Sequence, residues 1–260
     1  MGQYYRAERF IDMYQFFVQP SQINLSDKTV VIIGADVNHI KNVLRMKPGE
    51  EISVSNGVDG KEYRCGIRFL EEERIICELR FIKEDAVELP VKVYLFQCLP
   101  KADKMEWIVQ KAVELGVYEI IPVASVRCVV KLDSKKASAK IARWQGIAEA
   151  AAKQSRRAII PRIADVISFS QAVRMAADMN VRLIPYELAE GMEKTRKVIE
   201  NLRSGQSIAV FIGPEGGFEE SEIQTAVESG IEPVTLGKRI LRTETAGMTV
   251  LSWIIYQMEV

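Results

Sequence analysis

The sequence predicts an α/β protein in two parts. A small β-rich N-terminal unit precedes a larger unit built on a largely parallel sheet with helices on both faces. Three observations predict this. Residues 14–90 hold short, closely spaced β-rich pieces separated by turn signals. From Leu89-Pro90 onward, apolar runs alternate with longer helical patterns. Two of those runs end in glycine-bearing junctions that lead directly into helices.

Met1–Asp12 is polar and aromatic, and Met13-Tyr-Gln-Phe-Phe-Val reads as a fresh beginning; an extended start or an extra turn would account for the leading segment. Strands are then expected at Gln15–Val18, Thr29–Ile33, Glu51–Ser55, Tyr63–Phe69 and Arg74–Phe81, punctuated by Pro48-Gly49, Asn56-Gly57 and Asp59-Gly60. Such spacing suits a small barrel or sandwich. One helix interrupts them at Val37–Met46, where Val37, Ile40, Val43 and Leu44 recur at helical spacing. The boundary between the parts is expected at about residues 83–90, giving domains at 13–85 and 90–260.

Beyond it, Val91–Cys98 reads as a strand. Asp103 is placed to cap a helix with an apolar stripe of Met105, Ile108, Val109, Ala112 and Val113, and Gly116 to end it. Strand Tyr118–Val123 and helix Ser134–Gln154 follow. Further strands are expected at Val181–Ile184, Ile208–Ile212 and Pro233–Leu236, with helices at Glu219–Ser229 and Thr243–Met258. Thr243 or Thr245 is expected to cap the last helix.

The cysteines Cys65, Cys77, Cys98 and Cys128 form no CxxC pair, and the single histidine, His39, has no ligand cluster around it. No metal site is expected, and the thiols read as reduced and partly buried. No apolar run reaches the roughly 18 residues that a membrane span needs, and no signal-peptide core is evident. A cytoplasmic location is the expectation.

The 260 residues carry a formal net charge of zero, which taken alone speaks against a basic nucleic-acid-binding arm. That zero averages unlike parts. Between Arg127 and Arg162 stand ten basic residues, including Lys131, Arg156 and Arg157, against Asp133 and Glu149. This stretch suits a polyanion such as RNA, because cations beside phosphates release counterions. It also suits a solvated helix face, and charge alone does not decide between them.

Ile208-Ala-Val-Phe-Ile212 runs into Gly213-Pro-Glu-Gly-Gly-Phe218 and then a helix. This is neither a Walker A loop nor a GxGxxG fingerprint, and Glu215 would repel a triphosphate. Either a cationic or zwitterionic ligand lies close to this backbone, or the loop is a tight turn with no ligand. A second such junction is Leu236-Gly-Lys-Arg-Ile-Leu-Arg-Thr-Glu-Thr-Ala246.

Together these two junctions resemble the RsmE-type 16S ribosomal RNA uracil-N3 methyltransferases of the SPOUT superfamily. Lys104-Met105, Gln110-Lys-Ala-Val-Glu-Leu-Gly116, Glu149-Ala-Ala-Lys-Gln-Ser-Arg-Arg157, Phe16-Phe-Val18, His39 and Val43-Leu-Arg45 extend the likeness from Met13 to the C-terminus. The resemblance implies an N-terminal PUA-like small β-barrel and a C-terminal SPOUT α/β domain with a deep trefoil knot. It also implies a homodimer acting on the small ribosomal subunit, without metal or membrane. The implied cofactor is S-adenosyl-L-methionine, held by three loops. These carry over as Pro185, Tyr186 and Glu187; as Ile212, Gly213, Glu215, Gly216 and Gly217; and as Leu236, Gly237, Ile240 and Leu241 with Thr245 and Ala246.

Uracil N3 carries a weakly acidic proton, so a base and a cationic stabiliser should assist its methylation. Arg242 is the candidate for orienting uracil or stabilising its developing charge; Glu244 is a candidate base, or else a structural partner of Arg242. Candidate RNA contacts are Lys41, Arg45, Lys101, Lys104, Arg127, Lys131, Gln154, Arg156 and Arg157, with His39 suited to RNA contact or core packing. The chain departs from the family pattern where Gln15 replaces a usual Arg, where Arg156 replaces a usual Gly, and near Val126-Arg127-Cys128. Methylation of another RNA such as tRNA, or a non-catalytic assembly factor, are the competing readings.

Overall fold

Side-chain alternation builds the first unit. The computed structural model describes residues 13–84, 87–189 and 191–259, so the reading of Met1–Asp12 lies outside the described residues. Strands β1 (Gln15–Phe17), β2 (Ile23–Asn24) and β3 (Thr29–Ile33) precede a short helical segment. Strands β4 (Glu51–Ser55), β5 (Glu62–Leu70) and β6 (Arg74–Lys83) follow it. They form one sheet in the order β1-β4-β5-β6-β3-β2, with β1 parallel to β4 and every other pair antiparallel. Phe16, Val30, Ile32, Ile40, Ile52, Val54, Ile67, Ile75 and Cys77 make its core. Each large apolar side chain fully buried there contributes about 1.5–3 kcal/mol.

Two expectations for this unit change. The ladder path has β1 and β2 as its ends, so it does not close into a ring among the described residues. The predicted helix over Val37–Met46 is instead one α-turn, α1 (Ala35–Asn38), continuing as a π-helix over His39–Val43. Arg45 then takes the left-handed conformation at φ 55°, which terminates the helical run.

The chain divides into two compact units, the first taking in residues through Val87 together with Arg156–Ile159. That short segment joins by pairing: Gln15 Nε2 donates to Arg157 O at 2.9 Å, and Gly57 bridges Ile159.

In the second unit, β7 (Lys92–Cys98), α2 (Lys104–Glu114), β8 (Glu119–Ala124) and α3 (Ser134–Gln154) come first. Then follow β9 (Arg162–Ile163), β10 (Ile167–Ser168), α4 (Phe169–Met175), β11 (Val181–Pro185) and α5 (Met192–Glu200). The chain ends with β12 (Ser207–Ile212), α6 (Glu220–Glu228), β13 (Glu232–Val234) and α7 (Thr243–Met258). The sheet order is β10-β8-β7-β12-β11-β13, with β9 beside β8, and all the pairs are parallel. Central β12 is buried along its last five residues, as its continuous apolar run requires of a strand covered on both faces.

The local signals act as follows. Gly116 follows α2 at φ 80°, and Asp133 caps α3 by accepting from Lys136 N at 2.8 Å, a bond worth about 1 kcal/mol. Neither Thr243 nor Thr245 caps α7: the N-cap is Arg242, because the Thr243 hydroxyl is committed elsewhere. Helices α4 and α5 went unpredicted; each is short, and their buried residues are few. No helix is long and apolar enough to cross a membrane among the described residues.

Candidate active site

Three loops at the carboxyl ends of β11, β12 and β13 enclose a cavity of about 550 Å³. This is the end of a parallel sheet where ligands bind, and the volume falls within the range of about 300–1,000 Å³ usual for small-molecule pockets. Its walls include Pro185, Tyr186 and Glu187 from the first loop and Ile212 to Phe218 from the second. Thr235 to Thr243, Ala246 and Lys104 complete it. Of the fourteen positions expected to hold a cofactor, Thr245 does not line the cavity; it is exposed on the first turn of α7.

The glycines answer to local geometry. A Cβ on Gly213 would meet the Phe218 ring at 3.2 Å and the carbonyl carbon of Gly217 at 3.4 Å, so the loop folds tightly back on itself there and a side chain would have to displace the ring by a few tenths of an ångström. Phe218 is buried against Phe169, whose ring also meets Phe211 edge-on. Gly237 stands at φ 105°, a conformation that other residues avoid.

A buried hydrogen-bond chain ties the loops together. Gln97 Nε2 donates to Thr243 Oγ1 at 3.0 Å, and Thr243 donates in turn to Gly213 O at 2.6 Å. One amide at the end of β7 thereby fixes both the glycine loop and the start of α7. No sequence signal singled out Gln97; its partner is 146 residues away.

Charge is arranged across the same loops. Lys104 Nζ lies 2.9 Å from Glu215 Oε1 and 3.4 Å from Glu244 Oε2. The Lys101 backbone N–H also donates to Glu215, at 3.1 Å. Burial alone would raise the Glu215 carboxyl, but Lys104 and the nearby N–H groups outweigh it and hold it below its ordinary value. The hydrogen bond with Glu215, followed by that with Glu244, holds Lys104 above its ordinary value against a smaller opposing effect of burial. Lys104 is therefore a cavity residue and not a free phosphate contact, and Glu244 pairs with Lys104, not with Arg242. Arg242 is exposed, lines the cavity and has no ion-pair partner among the described residues.

Arg127 grips the glycine loop from outside, donating to Gly216 O at 3.1 Å and pairing with Glu219 at 3.0 Å. Beside it, Cys128 has its thiol lowered to about 6, chiefly by a hydrogen bond from Cys98 and then by Ser125. The four cysteines are free and buried, and no metal-binding cluster occurs among the described residues.

The remaining candidates scatter. Lys101, Lys131 and Gln154 are exposed in the second unit. In the first unit Lys41 Nζ donates to Glu71 O at 2.7 Å, Arg45 and Arg156 are exposed, and the His39 ring meets Phe16 edge-on. Arg157 is 3% exposed and leaves the set of surface RNA contacts; its backbone anchors the segment instead. Arg156 stands at φ 58° directly after the α3 cap, the position where glycine is unstrained.

Comparison with known proteins fits this architecture. The RNA methyltransferase domain family matches residues 87–255, and the RNA methyltransferase PUA domain family matches residues 32–80. The ribosomal RNA small subunit methyltransferase E of Bacillus subtilis is 38% identical over 251 residues, 95% of this chain and 98% of the relative. The chain belongs to the ribosomal RNA small subunit methyltransferase E family. The Mesomycoplasma hyopneumoniae methyltransferase E is 35% identical over 92% of this chain and 98% of its own. The crystal structure of the Neisseria gonorrhoeae methyltransferase E bound to S-adenosyl methionine has 34% identity and a TM-score of 0.79, covering 94% of this chain and 97% of that one. The N-terminal unit is thus the PUA-like part of a methyltransferase E chain, and the parallel-sheet unit carries the methyltransferase domain.

Proposed function

We propose that this chain methylates N3 of a uracil in 16S ribosomal RNA, using S-adenosyl-L-methionine held in the three-loop cavity. The observation that carries the reading is the cavity itself: close-packed glycine backbone on one wall, with Lys104, Glu215, Glu244 and Arg242 set around it. Pro185 to Glu187, Ile212, Gly213, Glu215 to Gly217, and Leu236, Gly237, Ile240 and Leu241 would hold the cofactor, together with Ala246; backbone groups suit a ligand with both an adenine and a zwitterionic end. When bound, S-adenosyl-L-methionine supplies an electrophilic methyl group on a sulfonium, so this chain's task is mainly to position and to move one proton.

Arg242, without a carboxylate partner among the described residues, orients the uracil and stabilises the negative charge that spreads to its carbonyl oxygens as N3 loses its proton. Glu244 is the acceptor of that proton, and Lys104 holds it in place against Glu215. The target nucleotide leaves its stack to reach the cavity. Lys41, Arg45, Lys101, Lys131, Gln154 and Arg156 are the remaining candidate RNA contacts. Domains 13–85 and 90–260 divide the work between RNA holding and methyl transfer, in the cytoplasm.

The finer architecture belongs to the same proposal. Strand β13 follows β12 in the chain yet lies on the far side of β11, so the chain doubles back across β11, as a deep trefoil knot requires. Helix α7 buries Ala246, Val250, Leu251 and Ile254, while Tyr256 is 73% exposed. An aromatic ring exposed to that degree suits burial against another surface, and a second copy of the chain is the occupant proposed.

The test is to delete the gene and map modified uridines in small-subunit RNA. Loss of N3-methyluridine at one site, restored by the wild-type chain but not by Arg242→Ala, is the expected result. Survival of every modified uridine would defeat the proposal; a lost mark on tRNA would transfer it to that substrate.

A further inference from the structure

Residues Lys238 and Arg239 have no function assigned so far beyond their position in the third loop. Their segment is acidic overall: from residue 201 to the C-terminus the chain has Arg203, Lys238, Arg239 and Arg242 against eight carboxylate side chains. Three of those four cations line the cavity, and all three are exposed. Among the carboxylates lining the cavity, Glu187 is exposed with no ion pair among the described residues; the others nearby are committed elsewhere. Glu215 and Glu244 pair with Lys104, Glu219 pairs with Arg127, Glu232 with Lys194, and Glu222 accepts from Val126 N. Lys238, Arg239 and Arg242 form no ion pair with any described residue. Gly237 at φ 105° turns the backbone immediately before them, and Ile240 between them is 86% exposed.

A nucleotide whose base enters a cavity leaves its two flanking phosphates at the rim. Those phosphates need cations that are exposed, unpaired and near the opening. Arg242 is the N-cap of α7, and Lys238 and Arg239 are exposed earlier in the same cavity-lining loop.

We propose that Lys238 and Arg239 hold the RNA backbone phosphates on either side of the target uridine, and that this pair sets the salt dependence of RNA binding at the cavity. The inference rests on the reading of the cavity as the methyl-transfer site. It makes the 236–242 loop serve two ligands: backbone toward the cofactor, side chains toward the RNA.

The test uses the full chain with small ribosomal subunits isolated from the deletion strain. The Lys238→Ala/Arg239→Ala variant is compared with Lys135→Ala/Lys136→Ala across a series of KCl concentrations at fixed magnesium. The slope of log affinity against log salt should fall by about 0.7 per lost single-strand phosphate contact. KM for the subunits should rise about tenfold or more at low salt, with kcat nearly unchanged. The affinity for S-adenosylmethionine by calorimetry should hold, because the backbone is intact. Lys238→Arg/Arg239→Lys should restore the slope, and the control pair should leave it unchanged.

An unchanged slope with methyl transfer intact overturns this inference alone. So does a loss of cofactor affinity that matches the loss of activity, since the pair would then be supporting the loop. Conversion to a monomer with the slope preserved would assign the pair to contact between copies and also overturn it. Failure of the wild-type chain to bind S-adenosylmethionine would remove the cavity reading and this inference together.

Discussion

The stretch Arg127–Arg162 and the loop Leu236–Arg242 invert each other. The first is the most basic part of the chain, yet six of its cations stand beside carboxylates. Arg127 meets Glu219, Lys136 Asp133, Lys140 Asp103, Arg143 Glu106, Lys153 Glu149 and Arg162 Glu119. Arg157 is buried as well. The second lies in an acidic segment, yet its three cations are unpaired among the described residues and face a cavity. Local charge density in a sequence therefore does not measure the charge a surface offers to a ligand. What matters is where the opposite charges arrive after folding, and four of the six partners come from outside the stretch itself.

The cavity side of this contrast depends most on the Gln97–Thr243–Gly213 chain. Thr243→Val keeps the shape but leaves the Gln97 amide with Cys98 O as its one remaining acceptor and takes the side-chain donor from the Gly213 carbonyl, and leaving a buried polar group unsatisfied costs about 1–3 kcal/mol. Urea unfolding should show that loss, and S-adenosylmethionine should bind about tenfold more weakly, the equivalent of ~1.4 kcal/mol. Unaltered cofactor binding would mean the loops are held without this chain.

Lys104 is the paired cation that belongs to the cavity. Glu215 has its carboxyl lowered in the folded chain, so the stability it adds is present above its unfolded value of 4.5 and is lost as pH falls through the lower folded value. Wild-type cofactor affinity should therefore be flat from about pH 5 upward. In Lys104→Met, burial would push Glu215 upward with its main opponent gone, and the acid limb of cofactor binding should move to higher pH. Identical profiles for the two proteins would show that Lys104 does not hold this carboxylate.

On the other side of the contrast, Arg143→Ala breaks an exposed ion pair 2.8 Å long. Such pairs contribute about 0–1 kcal/mol, so stability should change little and KM for small subunits should not move. A large rise in KM would return the basic helix to the RNA surface. The smallest effect is expected at Arg156→Gly. Relieving a left-handed residue at φ 58° should raise stability by up to about 1 kcal/mol in urea unfolding, less whatever the Arg156 side-chain contacts contribute. Net destabilisation would show that those contacts outweigh the strain.

Much of the fold was legible because it depends on local pattern. The run Ile208–Ile212 had to be a strand covered on both faces, Gly116 had to end α2, and the glycine loops had to fall at strand ends. The cavity walls were legible through the family resemblance and not through local pattern, with Thr245 the exception: helical phase turns it outward once Arg242 becomes the cap. The unread parts depend on distant partners. Nothing near Gln97 announces Thr243, nothing near Lys104 announces Glu215 and Glu244, and nothing near Arg157 announces its burial in the first unit. The π-helix at His39–Val43 escaped because its apolar spacing also fits an ordinary helix.

The central claim is that the cavity binds the methyl donor and that Arg242 acts on the acceptor. Calorimetry with S-adenosylmethionine and single-turnover formation of N3-methyluridine, both on the wild type and on Arg242→Ala, test it together. The expected result is cofactor affinity unchanged within about twofold and transfer slowed on the order of a hundredfold or more, the scale of removing one transition-state donor. Parallel loss of binding and transfer, or no loss of either, would contradict it.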